Sequence, residues 1–517
     1  MIKSITIENF KGIGNEVTID LKPITLLFGA NSAGKSTIVH ALHYAREILE
    51  RGNLDPDKTI GGGPHVDLGG FLGLVHGKDK GKDRTVRLRI EFDVEETSLP
   101  STDVDYSSFE PIIGFEIESL IDGFKSIAIE IAVFFNPWEE APVVSEASVV
   151  LDDQLFCELK SDSGGNGAAI TQLETDHPSL LQSRQDITTD IVATCLGDLL
   201  ENCGNFLDGT IMLSGDMDDV VRGNDLQAKL YPFEVEEEEA RQISLSKKVM
   251  AAISEVVSGA FTLARKELNE FRYLGPLRDT PNRNYDPPKT KVPDRWASGL
   301  AAWDALKLQS DEFVEDVSSW LGDSERLDSG CQLDRRSYYV VDKTSDIALK
   351  VQRASFADDT EPIQPSEIAE IETLTRLKLV STGSDNVEFD PQDVGTGISQ
   401  VIPVIVASLL DKEQLVAIEQ PELHVHPRIQ AELGDLFIDA WQKKQNQFVL
   451  ETHSEHLVLR LQRRVREHLI SQDDIGVYYV SQADDGQTRV SQLRLDEEGD
   501  FIDNWPGGFF PERLKEI

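Results

Sequence analysis

One octapeptide constrains this chain more than any other segment. Gly29-Ala30-Asn31-Ser32-Ala33-Gly34-Lys35-Ser36 is a glycine, four free positions and then Gly-Lys-Ser. It follows a short apolar run, Ile24 to Phe28, and opens a helical stretch from about Ser36 to Leu49, the strand–loop–helix context in which the pattern has a physical meaning. Its glycines let successive backbone N–H groups turn inward around phosphate oxygens at a helix N-terminus. In that geometry Lys35 reaches the β- and γ-phosphates and the Ser36 hydroxyl ligates Mg²⁺. Gly29, Asn31, Ser32, Ala33, Gly34 and Thr37 complete the cradle, so ATP and Mg²⁺ are the expected ligands.

Such a loop needs a carboxylate at the tip of a neighbouring strand to hold the metal. Leu415-Val416-Ala417-Ile418-Glu419-Gln420-Pro421-Glu422 supplies one, four apolar residues ending in an acid. Glu419 follows Lys35 by 419 − 35 = 384 residues. That separation predicts a discontinuous α/β core whose two ends meet around a large insertion. The surrounding pattern agrees: a helix over about 401–410, a helix opened by Pro427, a strand at 448–450, a helix over about 456–469 and a strand at 477–480. Strands alternating with helices predict a parallel sheet.

Composition narrows the partners. The 517 residues are 40% hydrophobic and 27% charged, a globular balance, with 50 Lys plus Arg against 92 Asp plus Glu and a formal charge of −42. A polycation that coats nucleic acid by bulk charge is excluded, and any contact with phosphate backbones requires a local basic patch. Cys157, Cys195, Cys203 and Cys331 show no zinc-like spacing and read as free thiols. No run reaches the length of a membrane span and the first residues lack a secretion leader, so the expectation is a cytoplasmic protein that is not itself a transporter.

Between the two motif-bearing ends, residues 61–160 carry glycine-rich turns and alternating strands such as Thr85 to Val94, and read as a β-rich lobe. Residues 161–390 read as an insertion, partly helical, with a periodic apolar face over about 241–271 behind the acidic run 234–239. The divisions expected are 1–60 and 391–517 as the two parts of a nucleotide-binding head, with 61–160 and 161–390 between them.

Three ordered motifs carry a resemblance: Asn31 within the glycine loop, Ile418-Glu419-Gln420-Pro421-Glu422-Leu423-His424-Val425-His426-Pro427, and Glu451-Thr452-His453-Ser454. Together they resemble the ATP-binding head of the OLD, RecF and SMC group, ABC-type AAA ATPases, over roughly residues 1–60 and 390–517. The style is most similar to stand-alone OLD-like ATPases of prokaryotic anti-phage systems. The resemblance implies a Walker B role for Glu419 and a γ-phosphate-sensing switch role for His453. It also implies that Val394 to Gln400 is the signature-like loop offered to the nucleotide of a second subunit, with Gly397 and Ser399 as donors across the ATP-bound heads of a homodimer or higher oligomer. OLD-type nucleases carry a Toprim domain after the ATPase, for which the residues beyond His453 leave no room. A separate effector, nuclease or toxin-like, is therefore the expected partner.

One departure bears on chemistry. Many such heads place a water-activating glutamate directly after the Walker B acid, where this chain has Gln420. An amide orients water but takes no proton at neutral pH. Slow hydrolysis is expected, or a base role for Glu422. The leading expectation is a nucleotide-gated ATPase controlling an effector in anti-phage defence. The alternatives are a RecF-like repair factor clamping duplex DNA and a nearly inactive ATP-bound scaffold. His424, His426, His453 and His456 invite a zinc reading but lack an obvious remaining ligand set. Arg272, Arg278 and Arg283, and the denser group Arg460, Arg463, Arg464 and Arg466, are the candidate phosphate contacts, against pairing with the abundant acids.

Overall fold

Strands that bear the motifs are apolar on both faces, which suits a parallel sheet covered on both sides. The computed structural model describes residues 1–78, 85–94, 124–161, 168–174, 177, 256–283, 285–290, 292–354, 364, 368–369, 371–383 and 386–506. Its central sheet has the order β11 (Arg272–Leu274), β15 (Leu415–Glu419), β16 (Gln447–Glu451), β3 (Ile24–Gly29), β17 (Ile475–Gln482) and β18 (Thr488–Gln492). All neighbours run parallel except β18, which returns antiparallel on β17. The N-terminal strand β3 is thus held between two C-terminal strands, with Ile24 opposite Phe448 on one side and Ile475 on the other. The long-range closure predicted from the motif spacing is present in the backbone hydrogen bonds themselves.

Side-chain alternation assigns the two faces. Ile24, Leu26, Phe28, Val416, Ile418, Phe448 and Leu450 point into one apolar cluster, with α7 (Thr396–Leu409), α8 (Pro427–Lys444) and α9 (Glu455–Arg466). Leu27, Ala417 and Val449 point into the other, which holds α1 (Lys35–Arg51) and the helix α3 over 256–270. α1 buries Ile38, Val39, Leu42, Ala45, Ile48 and Leu49, and ends at Gly52 in the left-handed conformation, a common helix stop.

A second sheet, fully antiparallel, has the order β10 (Ala168–Leu173), β9 (Gln154–Ser161), β8 (Ala141–Leu151), β7 (Ser126–Asn136), β6 (Thr85–Asp93), β1 (Ile2–Glu8) and β2 (Val17–Asp20). Its register continues from β6 into β1, Ile5 opposite Ile90, so residues 1–20 and the β-rich lobe share one sheet. The described part of the insertion is both helical and β. It holds α4 (Leu300–Leu308), α5 (Asp311–Gly322), α6 (Asp346–Ala354) and a small sheet of β12 (Cys331–Val340), β13 (Glu372–Ser381) and β14 (Glu388–Phe389). A short ribbon, β4 (Lys58–Thr59) with β5 (Gly63–Asp67), and the helix α2 (Gly70–Leu74) follow α1.

The acidic run 234–239, Cys195, Cys203 and residues 507–517 lie outside the described residues. Cys157 and Cys331 are buried free thiols. Trp505 packs edge-on against Phe28, Tyr479 and Phe501, which docks the last described turn onto the central sheet. Among the described residues no helix is long and apolar enough to cross a membrane.

Candidate nucleotide site

Parallel strands of one sheet end on the same edge, and in open α/β sheets that carboxyl edge is where ligands bind. Here β3 delivers the glycine loop to it, β16 delivers Glu451 and β15 delivers Glu419. The loop's shape requires its glycines. Gly29 has φ 150° and a Cβ there would lie 2.0 Å from Val480 O; Gly34 has φ 100° and a Cβ would lie 2.5 Å from Thr488 Oγ1. Thr488, on β18, supports the loop from behind by donating to Ala33 O at 3.1 Å. Ser32 is left-handed at φ 63°; Asn31 and Ser32 are exposed, while Ala33, Lys35 and Thr37 are buried.

Lys35 folds over the loop and donates to Gly29 O at 3.1 Å and Ala30 O at 3.0 Å. Its ammonium also faces a carboxylate of Glu451 at 3.6 Å, and the Ser36 hydroxyl donates to the other oxygen of Glu451 at 2.7 Å. The acid touching the loop is therefore Glu451 and not Glu419. The reason is strand order: β16 lies between β3 and β15, so the strand that ends in Glu419 is one place removed from the loop. Glu419 sits beside it, Glu419 opposite Glu451 in the parallel register. Glu451 too is an acid closing an apolar strand, but in the sequence it stands only as the first residue of the Glu451–Ser454 motif; its place beside the loop follows from the strand order.

Two buried carboxylates side by side repel. Burial first, and the Glu451 charge second, push Glu419 up to about 7, opposed by the Tyr273 hydroxyl and by Lys35 and Arg278. Tyr273 donates to Glu419 at 3.0 Å and its own phenol is held well above its usual range by burial. A hydroxyl and two carboxylates form a hard oxygen donor set of the kind Mg²⁺ prefers, and a cation there would relieve the repulsion. Ser36, Glu419 and Glu451 fit the metal on that chemistry.

Glu422 is differently employed. Its carboxylate accepts from the Thr452 hydroxyl at 2.9 Å and from the His453 backbone N–H at 2.7 Å, so it fastens the turn after β15 to the segment after β16. Burial raises its pKa despite those donors. His453 itself is exposed, its imidazole pKa lowered by burial of part of the ring and by the Lys35 charge. Gln420 is left-handed at φ 46°, a costly backbone state for a side chain of this kind. Its N–H donates to Glu451 O at 2.7 Å.

In the signature-like loop, α7 begins at Thr396, with Gly395 and Thr396 exposed. A Cβ at Gly397 would lie 2.7 Å from His424 O, so glycine permits the loop to approach the turn after β15. Ser399 is buried and its hydroxyl donates to Thr396 O at 2.9 Å, inside its own turn. His424, His426 and His456 are exposed, and His426 caps α8 by accepting from Arg428 N–H. Among the described residues no three His, Cys, Asp or Glu side chains converge as a metal set.

The basic helix is neutralised. Arg460 pairs with Glu432 and Asp435, Arg464 with Asp435 and Glu467, Arg463 with Glu467, and Arg466 with Asp500. Arg283 pairs with Asp393. Arg272 pairs with Asp411 and lies 4.4 Å over the Trp296 ring.

Comparison with known proteins matches the AAA ATPase domain family over residues 1–144 and 311–458, a discontinuous match with both motif-bearing ends in it. A family described as a protein of unknown function, DUF3696, matches residues 470–517. No curated protein matches the chain. Among solved structures, an SMC head bound to the C-winged helix domain of ScpA is 12% identical, with a TM-score of 0.37, covering 96% of this chain and 98% of that one. The SMC head of Pyrococcus furiosus with an extended coiled coil, bound to the C-terminal domain of ScpA, is 12% identical with a TM-score of 0.35, covering 95% and 96%. That of Thermotoga maritima is 8% identical with a TM-score of 0.35, covering 96% and 99%.

Proposed function

The chain belongs to the AAA ATPase domain family, and we propose that it binds Mg²⁺·ATP on the glycine loop and hydrolyses it slowly, as a nucleotide-gated homodimer that controls a separate effector in anti-phage defence. One observation carries the nucleotide reading. Lys35 and Ser36 from the N-terminal part meet Glu451, with Glu419 beside it, from the C-terminal part, at the carboxyl edge of one sheet. Mg²⁺ would supply charge neutralisation of the triphosphate; Ser36, Glu419 and Glu451 would hold it, Lys35 would bind phosphate oxygens, and the loop N–H groups would orient them.

Slow turnover is supported by the amide of Gln420 at the position of a general base, and by Glu422, whose two oxygens are already committed as acceptors. The exposed start of α7 at Gly395 and Thr396 supports a second copy approaching there. Gating of an effector rests on the motif resemblance. The DNA-clamp alternative loses support from the pairing of Arg460, Arg463, Arg464 and Arg466 with acids of the same chain.

ATP binding, turnover and sizing with and without ATP test this, with Lys35→Ala as control. The expected result is ATP-dependent self-association, with binding and association both lost in Lys35→Ala. A Lys35→Ala variant that still binds ATP as tightly as the wild type refutes the site.

A further inference from the structure

Side-chain hydrogen bonds from Arg272, Tyr273 and Arg278 reach the strand that carries Glu419 or the helix behind it, and those of Arg278 reach both. Arg278 is 3% exposed. Its Nη2 donates to Glu419 O at 2.6 Å and to Gln420 O at 3.1 Å, so a single terminal nitrogen bridges two successive peptide carbonyls of the Walker B turn. Its Nη1 donates to Gln400 O at 3.4 Å. The main chain doubles the link: Arg278 N–H donates to Gln400 Oε1 at 3.1 Å and Gln400 Nε2 donates to Arg278 O at 2.5 Å. Gln400 is the last residue of the signature-like loop and is itself buried.

We propose that Arg278 is a positioning residue that locks the signature-like loop 394–400 to the Glu419–Gln420 turn, so that the surface offered to a second copy and the metal-holding acid move as one body. This rests on the nucleotide-gated dimer reading above. The chemistry favours arginine over any other cation. A planar guanidinium presents donors in several directions at once and stays charged when buried, whereas an ammonium is a point charge. Burial lowers Arg278 to about 10, with Glu422, Tyr273 and Glu419 opposing the shift, so it remains a cation at neutral pH. Gln420 needs such a hold. Its left-handed φ of 46° persists where surrounding bonds over-determine it, and those bonds are Arg278 Nη2 and the Leu423 N–H on its carbonyl, each at 3.1 Å, and Glu451 O on its N–H. Among the described residues the hydrogen bonds of Arg278 run to Gln400, Glu419 and Gln420 and none to the glycine loop, so its loss should act on the coupling more than on ATP affinity.

Arg272 is the matched control. It is equally buried, lies in the same segment and donates to the same helix, at Ala407 O at 2.7 Å, but at the end remote from Gln400. In the full-length protein, Arg278→Gln should leave the ATP dissociation constant within about threefold while kcat and ATP-dependent self-association each fall at least about tenfold, with Arg278→Lys intermediate. Arg272→Gln should lower the melting temperature at least as much, yet keep kcat and self-association within about threefold of wild type. Should Arg278→Gln fail to fold, Arg278→Lys and Gln400→Met decide by the same split. Should the wild type bind ATP without measurable turnover, self-association alone is read, by the same tenfold criterion. Equal losses in the two arginine variants at equal loss of melting temperature, or an Arg278 variant that assembles like wild type, overturns the proposal. A wild type that fails to bind ATP or to assemble with it overturns the underlying reading, and that failure is visible before any arginine variant is made.

Discussion

Replacing Glu451 by glutamine separates its two jobs, because the amide keeps the volume and still accepts from Ser36 while losing the charge. That charge faces Lys35 at 3.6 Å, with both groups buried. An effective dielectric near 20 gives about 332/(20 × 3.6), or about 4.6 kcal/mol, of gross attraction. Desolvation of two buried charges cancels most of it. If about a third survives, roughly 1.5 kcal/mol is spent in prising Lys35 away before it can meet a phosphate, a factor of about ten in affinity. The variant should therefore bind ATP about tenfold tighter than wild type when EDTA removes divalent ions. With Mg²⁺ the sign reverses: the wild type gains a carboxylate for the ion, the variant does not, and the tightening produced by Mg²⁺ should shrink by at least about tenfold. Calorimetric titration of ATP in EDTA and in Mg²⁺ reads both numbers. A variant that weakens in EDTA, or that responds to Mg²⁺ as strongly as wild type does, refutes the account of Glu451.

Two other perturbations bear on the support of the loop. Gly34→Ala should weaken ATP binding by more than about thirtyfold in the same titration, since φ 100° alone costs a side chain about 1–2 kcal/mol, or about 5- to 30-fold, and its Cβ also meets Thr488 Oγ1 at 2.5 Å; adding Thr488→Ala removes the clash but leaves the φ, so binding should recover in part and stay at least about fivefold weaker than wild type. His40, on α1, accepts at Nδ1 from the Lys11 ammonium at 2.8 Å and is held at about 3, chiefly by burial and then by the Lys11 charge. The unfolded chain binds that proton below about 6.5 and the folded one only below about 3, so between those values stability is lost as the pH is lowered. Going down to pH 5.5 should cost the wild type about 1.4 kcal/mol more than His40→Gln, read from urea midpoints, and equal slopes would refute it.

How much of this was legible in the sequence depends on the kind of information each feature needs. Residues 24–28 and 36–49 are read as strand and helix and appear as Ile24–Gly29 and Lys35–Arg51; the runs at 415–418, 448–450 and 477–480 appear as strands of one sheet. These are local patterns, apolar continuity and helical period, and locality suffices for them. The helix expected over 456–469 stops at Arg466, with His468 left-handed at φ 57°. Strand order is not local. The acid that meets Ser36 is Glu451 because β16 is interposed between β3 and β15, and nothing in the period of either strand encodes that placement. Arg278 is a second case. Among aromatic and turn residues it reads either as a candidate phosphate contact or as a partner of the abundant acids, but its side-chain donors end on three main-chain carbonyls of the same chain. The arginines of α9 fail as a phosphate patch for a related reason: helix period places Arg460 and Arg464 on one face, and only the packing of α8 shows that Asp435 waits opposite both.

The discontinuity has a consequence for assembly. β3 has no hydrogen-bonded neighbour in the central sheet from the first 400 residues; both of its partners, β16 and β17, come from beyond residue 446. An isolated strand between two absent neighbours leaves its ladder N–H and C=O groups unpaired, which burial would not tolerate. The glycine loop at its end is shaped by Val480 O against Gly29 and by Thr488 against Gly34, again from the C-terminal part. The loop therefore acquires its phosphate-binding form only when the C-terminal strands dock. Closing that contact across more than 380 residues adds only a logarithmic entropy cost, so a large insertion is thermodynamically tolerable. What the long connection changes is order: nucleotide binding comes last, after both ends are in register, which makes an ATP-bound molecule a report that the whole head is assembled.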